Sequence, residues 1–397
     1  MHIACPSAVT VLLIRLHEAG HEAYLVGGSL RDSLLGRPPH DWDIATSALP
    51  MQTLAVFADF RTIETGLKHG TVTVLSDDMP VEITTYRIDG NYLDARHPSS
   101  VSFTRSLDED LARRDFTVCA MAWSPYDGGD GIVDLFGGRE DLAAGIIRCV
   151  GQPEQRFRED ALRILRAYRF ASELSFTVEP ETRAGARFCA GLLARISAER
   201  ISSELSRTLL GAHAVAALTA MADDGVLGQI CPEADRRALF ALPQLPAELA
   251  LRLALLFWHT TSARAAAALG ELRFSGAVTR RVTAVLALRD LPLGEDAELT
   301  VRQLLRAGGQ TAAHDLLALR AALGETVAHY LHALGVVEER GDCTDLAHLA
   351  VGGADLAAAG IPRGPAIGRV LGRLLDAVIA DPSMNERGAL MDLVRGM

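Results

Sequence analysis

The chain has 397 residues, of which 49% are apolar, and it carries a formal net charge of −11. A chain of this length exceeds one ordinary hydrophobic core, so we expect two or more domains, and the apolar content excludes a largely disordered protein. The negative charge argues against non-specific coating of nucleic acid, although a local basic face remains compatible with it.

The six cysteines are scattered, without the spacing of a zinc site or a disulfide framework, which is typical of a reducing compartment. No apolar run approaches the ~18 uncharged residues of a membrane-spanning helix, and no secretory signal precedes the first helix. We therefore expect a cytoplasmic protein without membrane association.

The first 150 residues contain β-branched, alternating runs bounded by Gly, Asp and Pro. Strands are expected within 22–28, 69–76 and 80–88, and a strand–hairpin–strand unit within 121–138. From about residue 153, Leu, Ala and Arg recur at helical spacing. The pattern predicts an α+β protein in which the sheet is confined to the head and the remainder is helical.

Residues 27–48 read GGSLRDSLLGRPPHDWDIATSA, which is a glycine turn, a short helix and two acids one residue apart. A glycine turn entering a helix presents backbone N–H groups suited to a phosphate, and Arg31 would add a charge-assisted contact. Asp41 and Asp43 would share one face of a strand, where they repel each other unless a cation lies between them. A tight connection and a solvated strand face are the plain alternatives.

A third carboxylate, Glu82, lies within VEITTYR, where Val81 and Ile83 would point to the core-facing side. Burying a charge there is costly unless it is paired or linked to a metal. Three acids beside a phosphate-binding turn would form a metal site for phosphoryl transfer.

A charged row is predicted on the helix that follows the head. Its members recur every third residue and therefore step back ~60° each time around one helix; they are Asp160, Arg163, Arg166 and Arg169. The opposite, apolar stripe consists of Ala161, Leu162, Ile164, Leu165 and Tyr168. Salt bridges between residues three apart on a solvated face would explain the same row.

GGSLRDSLLGRPPHDWDIAT resembles the first motif of the tRNA nucleotidyltransferase (class II CCA-adding) and bacterial poly(A) polymerase family, within the DNA polymerase β superfamily. The later motifs of that family are matched, in order, by LARRDFTVCAMAW (111–123), DLFGGREDLAAGIIRCVG (134–151), REDALRILRAYRFA (158–171) and ISAERISSEL (196–205). The resemblance implies a catalytic head with a small mixed β-sheet over 1–150. A helical, base-reading neck would follow over 151–212, and an all-helical, tRNA-binding body and tail over 213–397.

The resemblance also implies the site residues. The catalytic acids, of which the first two would hold Mg²⁺, are Asp41, Asp43 and Glu82. The residues expected to bind the nucleotide are Gly27, Gly28, Arg31, Arg114, Asp115, Asp160, Arg163, Arg166 and Arg169. Within that set Asp160 and Arg163 would accept C or A and reject other bases, with Glu159 holding the arginine. Pairing of Arg113 and Arg114 with the nearby acids Asp108, Glu109 or Asp110 is the alternative role for those two arginines.

Three further stretches bear on the reaction. Cys119 stands where the family usually has Asn, and a thiol is a poorer hydrogen-bonding partner in a ribose pocket. Residues 87–103 resemble the family's flexible loop, which is associated with the final A addition and argues against a CC-only enzyme. Residues 355–375 predict a helical hairpin that resembles the elbow-gripping tail, an ordinary hairpin being the alternative.

The implied reaction is attack of the tRNA 3′-hydroxyl on the α-phosphate of CTP or ATP, with release of pyrophosphate. The tRNA would be bound at its 3′ end, acceptor arm and elbow through shape and phosphate contacts. An A-adding enzyme of a split CC/A pair shares every motif, and a poly(A) polymerase shares most of them. A catalytically silent RNA-binding relative would have no need of the three acids.

Overall fold

The computed structural model describes residues 3, 5–89, 101–128 and 130–396, so most of the loop-like segment within 87–103 lies outside the described residues. The chain divides into two compact units, Met1–Pro232 and Glu233–Met397. The first contains the sheet and the second is helical, which confirms the predicted α+β class.

The first unit contains a mixed seven-stranded sheet and two short two-stranded sheets, with helices between several of the strands. Its strands are β1 (Ala23–Val26), β2 (Trp42–Thr46), β3 (Arg61–Ile63), β4 (Thr71–Ser76), β5 (Met79–Thr85), β6 (Arg87–Asp89), β7 (Val101–Phe103), β8 (Met121–Trp123), β9 (Ile132–Asp134), β10 (Ile146–Ile147) and β11 (Thr177–Val178). Seven of them form one sheet in the order β3-β4-β5-β2-β1-β8-β9, in which β2 runs parallel to β5 and antiparallel to β1. The expected strands are confirmed, and the run 80–88 divides into β5 and β6.

Alternation along the strands separates a core face from an open face. Val72 and Val74 of β4 and Val81 and Ile83 of β5 are almost fully buried, whereas Glu82 between the last two is exposed. The acids therefore lie on the face of the sheet that is turned away from this apolar layer.

Helices lie before, between and after the strands of the first unit. The helices of the first unit are α1 (Ser7–Glu18), α2 (Gly27–Leu34), α3 (Pro50–Val56), α4 (Leu107–Ala112), α5 (Gly138–Ala144), α6 (Pro153–Glu159), α7 (Leu162–Leu174), α8 (Pro180–Cys189), α9 (Ala198–Leu210), α10 (Ala214–Asp223) and α11 (Val226–Ile230). Helix α2 begins directly at the glycine turn, and Gly36, with φ of +68°, follows its end, where a left-handed glycine commonly terminates a helix.

The prediction that Asp160 shares one helix with the three arginines is wrong. Helix α6 ends at Glu159, Asp160 is extended with φ of −140° and ψ of 106°, and α7 begins at Leu162. The Asp160 carboxylate accepts the backbone N–H of Leu162 at 3.0 Å, the local bond by which an Asp interrupts one helix and opens the next. The predicted apolar stripe from Ala161 to Tyr168 is confirmed, since all five of its residues are buried.

The second unit is helical throughout its regular structure. Its helices are α12 (Leu249–Leu256), α13 (Ser262–Glu271), α14 (Gly276–Arg289), α15 (Ala297–Ala322), α16 (Ala328–Arg340), α17 (Gly353–Ala358), α18 (Pro365–Ala380) and α19 (Arg387–Arg395). The predicted tail hairpin is α17 and α18, with Pro365 at the first position of the second helix, where a missing N–H does no harm. Along the described part of the chain, we find no helix with both the length and the apolar content to cross a bilayer.

Candidate active site

Two neighbouring parallel strands bring the predicted acids together. Asp43 of β2 is directly opposite Glu82 of β5 in the register, and Asp41 lies just before β2. Trp42 and Ile44 are buried, so the two aspartates flanking Trp42 face away from the core. Glu82 is exposed, so the expectation of a buried charge at this position is wrong. Its register opposite Asp43 is what brings it beside the two aspartates.

The electrostatics of the three acids centre on Asp43. Partial burial, repulsion from Glu82 and repulsion from Asp41 raise the pKa of Asp43 to about 6, while Arg114 opposes the shift. The ionised form of Asp43 is therefore disfavoured in the protein alone, and a cation between the carboxylates would remove the repulsion.

The donor set can be compared with the needs of a divalent cation. Carboxylate oxygens suit hard cations, and Mg²⁺ typically takes one or two protein carboxylates together with waters and substrate phosphates. Asp41 and Asp43 fit that pattern, with one exposed and one partly buried carboxylate on the same face. No cluster of three or more Asp, Glu, His or Cys side chains arranged to hold a metal is found within the described ranges.

The glycine turn borders the same space. Gly27 has φ of +70°, and a Cβ built on it would lie 3.3 Å from Arg114 Nη1 and 3.4 Å from Asp43 Oδ2. A Cβ on Gly28 would lie 3.6 Å from Arg31 Nη2. Glycine here keeps the backbone at the start of α2 open, between a carboxylate that can hold a cation and a guanidinium. Backbone N–H groups in such a position suit a phosphate.

Arg31 is 7% exposed and held from three sides. Its Nε donates to Asp32 Oδ1 at 2.8 Å, its Nη1 donates to Cys119 Sγ at 3.4 Å, and its guanidinium lies 4.9 Å from the centre of the Phe170 ring. Burial, partly offset by Arg31, raises the pKa of the Cys119 thiol, so the thiol is protonated at neutral pH. The residue that replaces the usual Asn therefore still contacts a predicted nucleotide-binding arginine.

The arginines and the aspartate of the Arg113–Asp115 segment are all paired. Arg113 and Arg114 both contact Asp110, at 2.6 Å and 3.2 Å, which bears out the alternative role for this pair. The nucleotide contact of Arg114 stays a prediction. Asp115 accepts Arg166 Nε at 2.6 Å. Burial of Asp115 is outweighed by Arg166, and the pKa of Asp115 lies below its ordinary value.

The predicted base-reading pair lies at the break between α6 and α7. Arg163 Nη1 contacts Glu159 at 2.7 Å, in agreement with the expectation that Glu159 holds this arginine. Asp160 contacts Arg200 Nη2 at 3.1 Å and makes no i,i+3 bridge to Arg163. Both side chains are partly buried, with exposed fractions of 11% for Arg163 and 19% for Asp160.

Arg169 is placed differently from the other predicted nucleotide ligands. It is 3% exposed, its Nε lies 3.0 Å from Glu204 Oε2, and its guanidinium is 4.2 Å from the centre of the Phe170 ring. Burial lowers the pKa of Arg169 to about 10 and raises that of Glu204, as expected for charges inside the helical layer. Its predicted phosphate contact stays a prediction.

Sequence reasoning missed Phe170, whose ring lies against three guanidinium groups. The third is that of Arg166, 5.2 Å from the ring centre, and Phe116 packs edge-on at 5.8 Å. The i,i+4 spacing from Arg166 to Phe170 was the available signal, but nothing in the sequence shows that Arg31 reaches the same ring.

The site combines acids on adjacent parallel strands with a glycine turn that opens onto them, and arginine-rich helices follow the head. This combination defines a nucleotidyltransferase. Residues 23–148 match the family model of the poly A polymerase head domain, residues 175–237 that of the "Probable RNA and SrmB- binding site of polymerase A", and residues 247–394 that of tRNA nucleotidyltransferase domain 2. The CCA-adding enzyme of Lactiplantibacillus plantarum is 37% identical over 399 residues, covering 98% of this chain and 95% of that relative. The chain belongs to the family of CCA-adding enzymes.

Other relatives agree. The CCA-adding enzyme of Geobacillus stearothermophilus is 50% identical over 215 residues, which cover 54% of this chain and 52% of that one. The crystal structure of the Bacillus stearothermophilus CCA-adding enzyme in complex with CTP is 35% identical, covers 99% of both chains and has a TM-score of 0.79. Enzymes of this nucleotidyltransferase family normally use a divalent metal ion.

Proposed function

We propose that this chain adds C, C and A to the 3′ end of tRNA, using CTP and ATP and releasing pyrophosphate. The observation that carries the proposal is the convergence of Asp43 and Arg114 on the open turn at Gly27, with Glu82 opposite Asp43 on the next strand. The relatives support it, since they are named CCA-adding enzymes and one solved structure holds CTP.

Asp41 and Asp43 would hold Mg²⁺, which when bound would lower the pKa of the attacking hydroxyl and neutralise the leaving pyrophosphate. Backbone N–H groups at Gly27 and Gly28 would face the triphosphate, with Arg114 supplying positive charge from the other side. Glu82 is exposed beside Asp43 and would accept a hydrogen bond from the ligand or its water.

Base choice would lie at the break between α6 and α7. Asp160 supplies acceptors and Arg163 supplies N–H donors, the combination needed to recognise the amino groups and ring nitrogens shared by C and A. Arg163 is oriented by Glu159, and Asp160 by Arg200. Asp115 and Arg166 would complete the nucleotide pocket, with Arg31 on its phosphate side.

We further propose that the head (1–150), neck (151–212) and body with tail (213–397) divide catalysis, base reading and tRNA binding between them. The acceptor arm and elbow would be bound through phosphates, giving salt-sensitive affinity. The six free cysteines support a reducing, cytoplasmic setting for the reaction.

The test is incubation with three tRNA substrates, lacking the last three, the last two or only the last nucleotide, each with labelled CTP or ATP. CCA addition predicts that CTP extends the first two and ATP extends the third. Extension of the third alone would instead identify an A-adding enzyme, and long adenylate tails on all three a poly(A) polymerase.

Asp41→Ala tests the site within the same assay. We expect incorporation of both nucleotides to fall by at least about a thousand-fold, since a missing metal ligand removes charge stabilisation in the transition state. Full activity of this variant would contradict the metal assignment, and normal thermal unfolding would show that any loss is not a folding defect.

A further inference from the structure

One buried carboxylate organises the arginines around the site. Asp110 of α4 has a side chain that is 1% exposed, and both of its oxygens are used. Its Oδ1 accepts Arg113 Nε at 3.0 Å and Nη2 at 2.6 Å, and its Oδ2 accepts Arg114 Nη2 at 3.2 Å. The Arg87 backbone N–H, at the start of β6, also donates to Oδ1 at 3.3 Å.

The two arginines lead in different directions. Arg114 points its other amino group, Nη1, into the space beside Gly27 and partly opposes the rise in the pKa of Asp43, so it belongs to the acid and phosphate side. The backbone carbonyl of Arg113 accepts Arg163 Nη2 at 3.0 Å, which connects it to the base-reading side. Consecutive residues fixed by one carboxylate therefore contact both halves of the site.

Asp110 is ionised in the folded protein at neutral pH. Burial by itself would raise the pKa of Asp110, but Arg114 and Arg113 outweigh it and leave the pKa below the ordinary value. A buried anion held this way has a fixed position and cannot exchange its partners for water. It can therefore set the orientation of the groups that it binds.

We propose that Asp110 is a positioning residue that fixes Arg114 toward the phosphates and, through the carbonyl of Arg113, fixes Arg163 toward the base. The inference rests on the proposed function, since it assigns Arg114 and Arg163 to the nucleotide. It predicts that one substitution, remote from the substrate, weakens both nucleotide turnover and base choice.

The experiment compares Asp110→Asn with Asp108→Asn, an exposed aspartate on the same helix. Asn keeps the shape of the Asp side chain but replaces one oxygen by an amide N–H₂, which cannot accept a hydrogen bond from a guanidinium. We expect kcat/KM for CTP and ATP to fall by about ten- to a hundred-fold, the effect of misplacing a catalytic contact, and the preference for CTP over UTP to fall as well. The control should change neither quantity.

A double-mutant cycle with Arg114→Ala separates positioning from general damage. If Asp110 acts on turnover through Arg114 as well as through Arg163, the two substitutions together lower kcat/KM for CTP by clearly less than the product of their separate effects, while the loss of CTP preference persists. Multiplying effects on kcat/KM, or wild-type kinetics in Asp110→Asn, would overturn the inference.

Failures of the inference and of the proposed function are distinguishable. A severe defect in Arg114→Ala beside a silent Asp110→Asn overturns the inference alone, whereas a silent Arg114→Ala overturns the site assignment and the inference together. Should Asp110→Asn fail to fold, Asp110→Glu keeps the charge but displaces the carboxylate by one methylene. Unchanged turnover and base preference in that variant would likewise overturn the proposal.

Discussion

Replacing Asp43 by Asn should stabilise the metal-free protein at neutral pH while abolishing catalysis. The pKa of Asp43 is raised from 3.8 to about 6 by partial burial and by the neighbouring acids Glu82 and Asp41. The folded state therefore disfavours the ionised carboxylate relative to the unfolded chain. Asn does not ionise, so the variant escapes this cost.

The magnitude follows from the shift. Two pKa units correspond to about 3 kcal/mol, which is the largest gain expected for Asp43→Asn above about pH 7. A group whose folded-state pKa is raised contributes stability that is present at low pH and lost as the pH rises through the folded value. The advantage of the variant over wild type should therefore be about 0.5 kcal/mol at pH 4, about 1.5 kcal/mol at pH 5, and reach its plateau above pH 7.

The assay is urea denaturation of wild type and Asp43→Asn between pH 4 and pH 8 in the presence of a chelator. Taking the difference between the two proteins at each pH removes the titration of the groups they share. Asp108→Asn, exposed on α4, serves as a control and should stay within about 0.5 kcal/mol of wild type throughout. Added Mg²⁺ should then stabilise wild type and leave Asp43→Asn unchanged.

An advantage that is independent of pH would refute this reasoning, because it would show that Asp43 is not held in a raised-pKa environment. Destabilisation at neutral pH would refute it more directly. Stabilisation of both proteins by Mg²⁺ would contradict the assignment of Asp43 as a metal ligand.

Two further substitutions test other parts of the first unit. Gly27→Ala should lower kcat/KM for CTP by at least about ten-fold, since the new Cβ meets Arg114 and Asp43. The control is Gly36→Ala, where φ is similarly positive but the surrounding space is open; it should cost about 1 kcal/mol of stability and leave the kinetics unchanged. Equal kinetic losses in both variants would contradict the role of the turn. Asp224→Asn should lower the free energy of unfolding, measured by urea denaturation, by about 3 kcal/mol. The reason is that this fully buried carboxylate accepts hydrogen bonds from Tyr168 Oη at 2.7 Å and Arg183 Nε at 2.7 Å. A change below about 0.5 kcal/mol would contradict this structural role of Asp224.

The sheet and the acid pair could be predicted from sequence because their signals are local. Alternating β-branched residues predict strands, and the i,i+2 spacing of Asp41 and Asp43 predicts a shared face once a strand is assumed. The parallel pairing that sets Glu82 opposite Asp43 is different, since the two strands are joined through intervening elements. The three acids and the nearby glycine turn suggested a shared site in advance, but the register that sets Glu82 opposite Asp43 could not be read from the sequence.

The helical half of the site shows where periodicity misleads. Residues spaced by three predicted one continuous row, but a single Asp side chain bonding to the next helix's first N–H divides it. Periodicity reports which residues would align if the helix continued, whereas local side-chain bonds decide whether it does. Asp is the residue in that row most able to make such a bond. Its presence was therefore a sign of a helix break, but the regular spacing of the arginines favoured one continuous helix.

The partners of the arginines could be predicted only where they lie close in the chain. Arg31 pairs with the adjacent Asp32, and Arg114 pairs with Asp110 four residues earlier. Arg163 combines a local partner, Glu159, with a carbonyl from the head, and Arg169 takes Glu204 from another helix. Because a guanidinium offers five donors in a fixed plane, its partners are selected by orientation rather than by proximity along the chain. The proposed division of the nucleotide site between head and neck would therefore depend on packing rather than on local sequence. Substitutions at the residues that orient these arginines should then alter base choice as readily as substitutions of the arginines themselves.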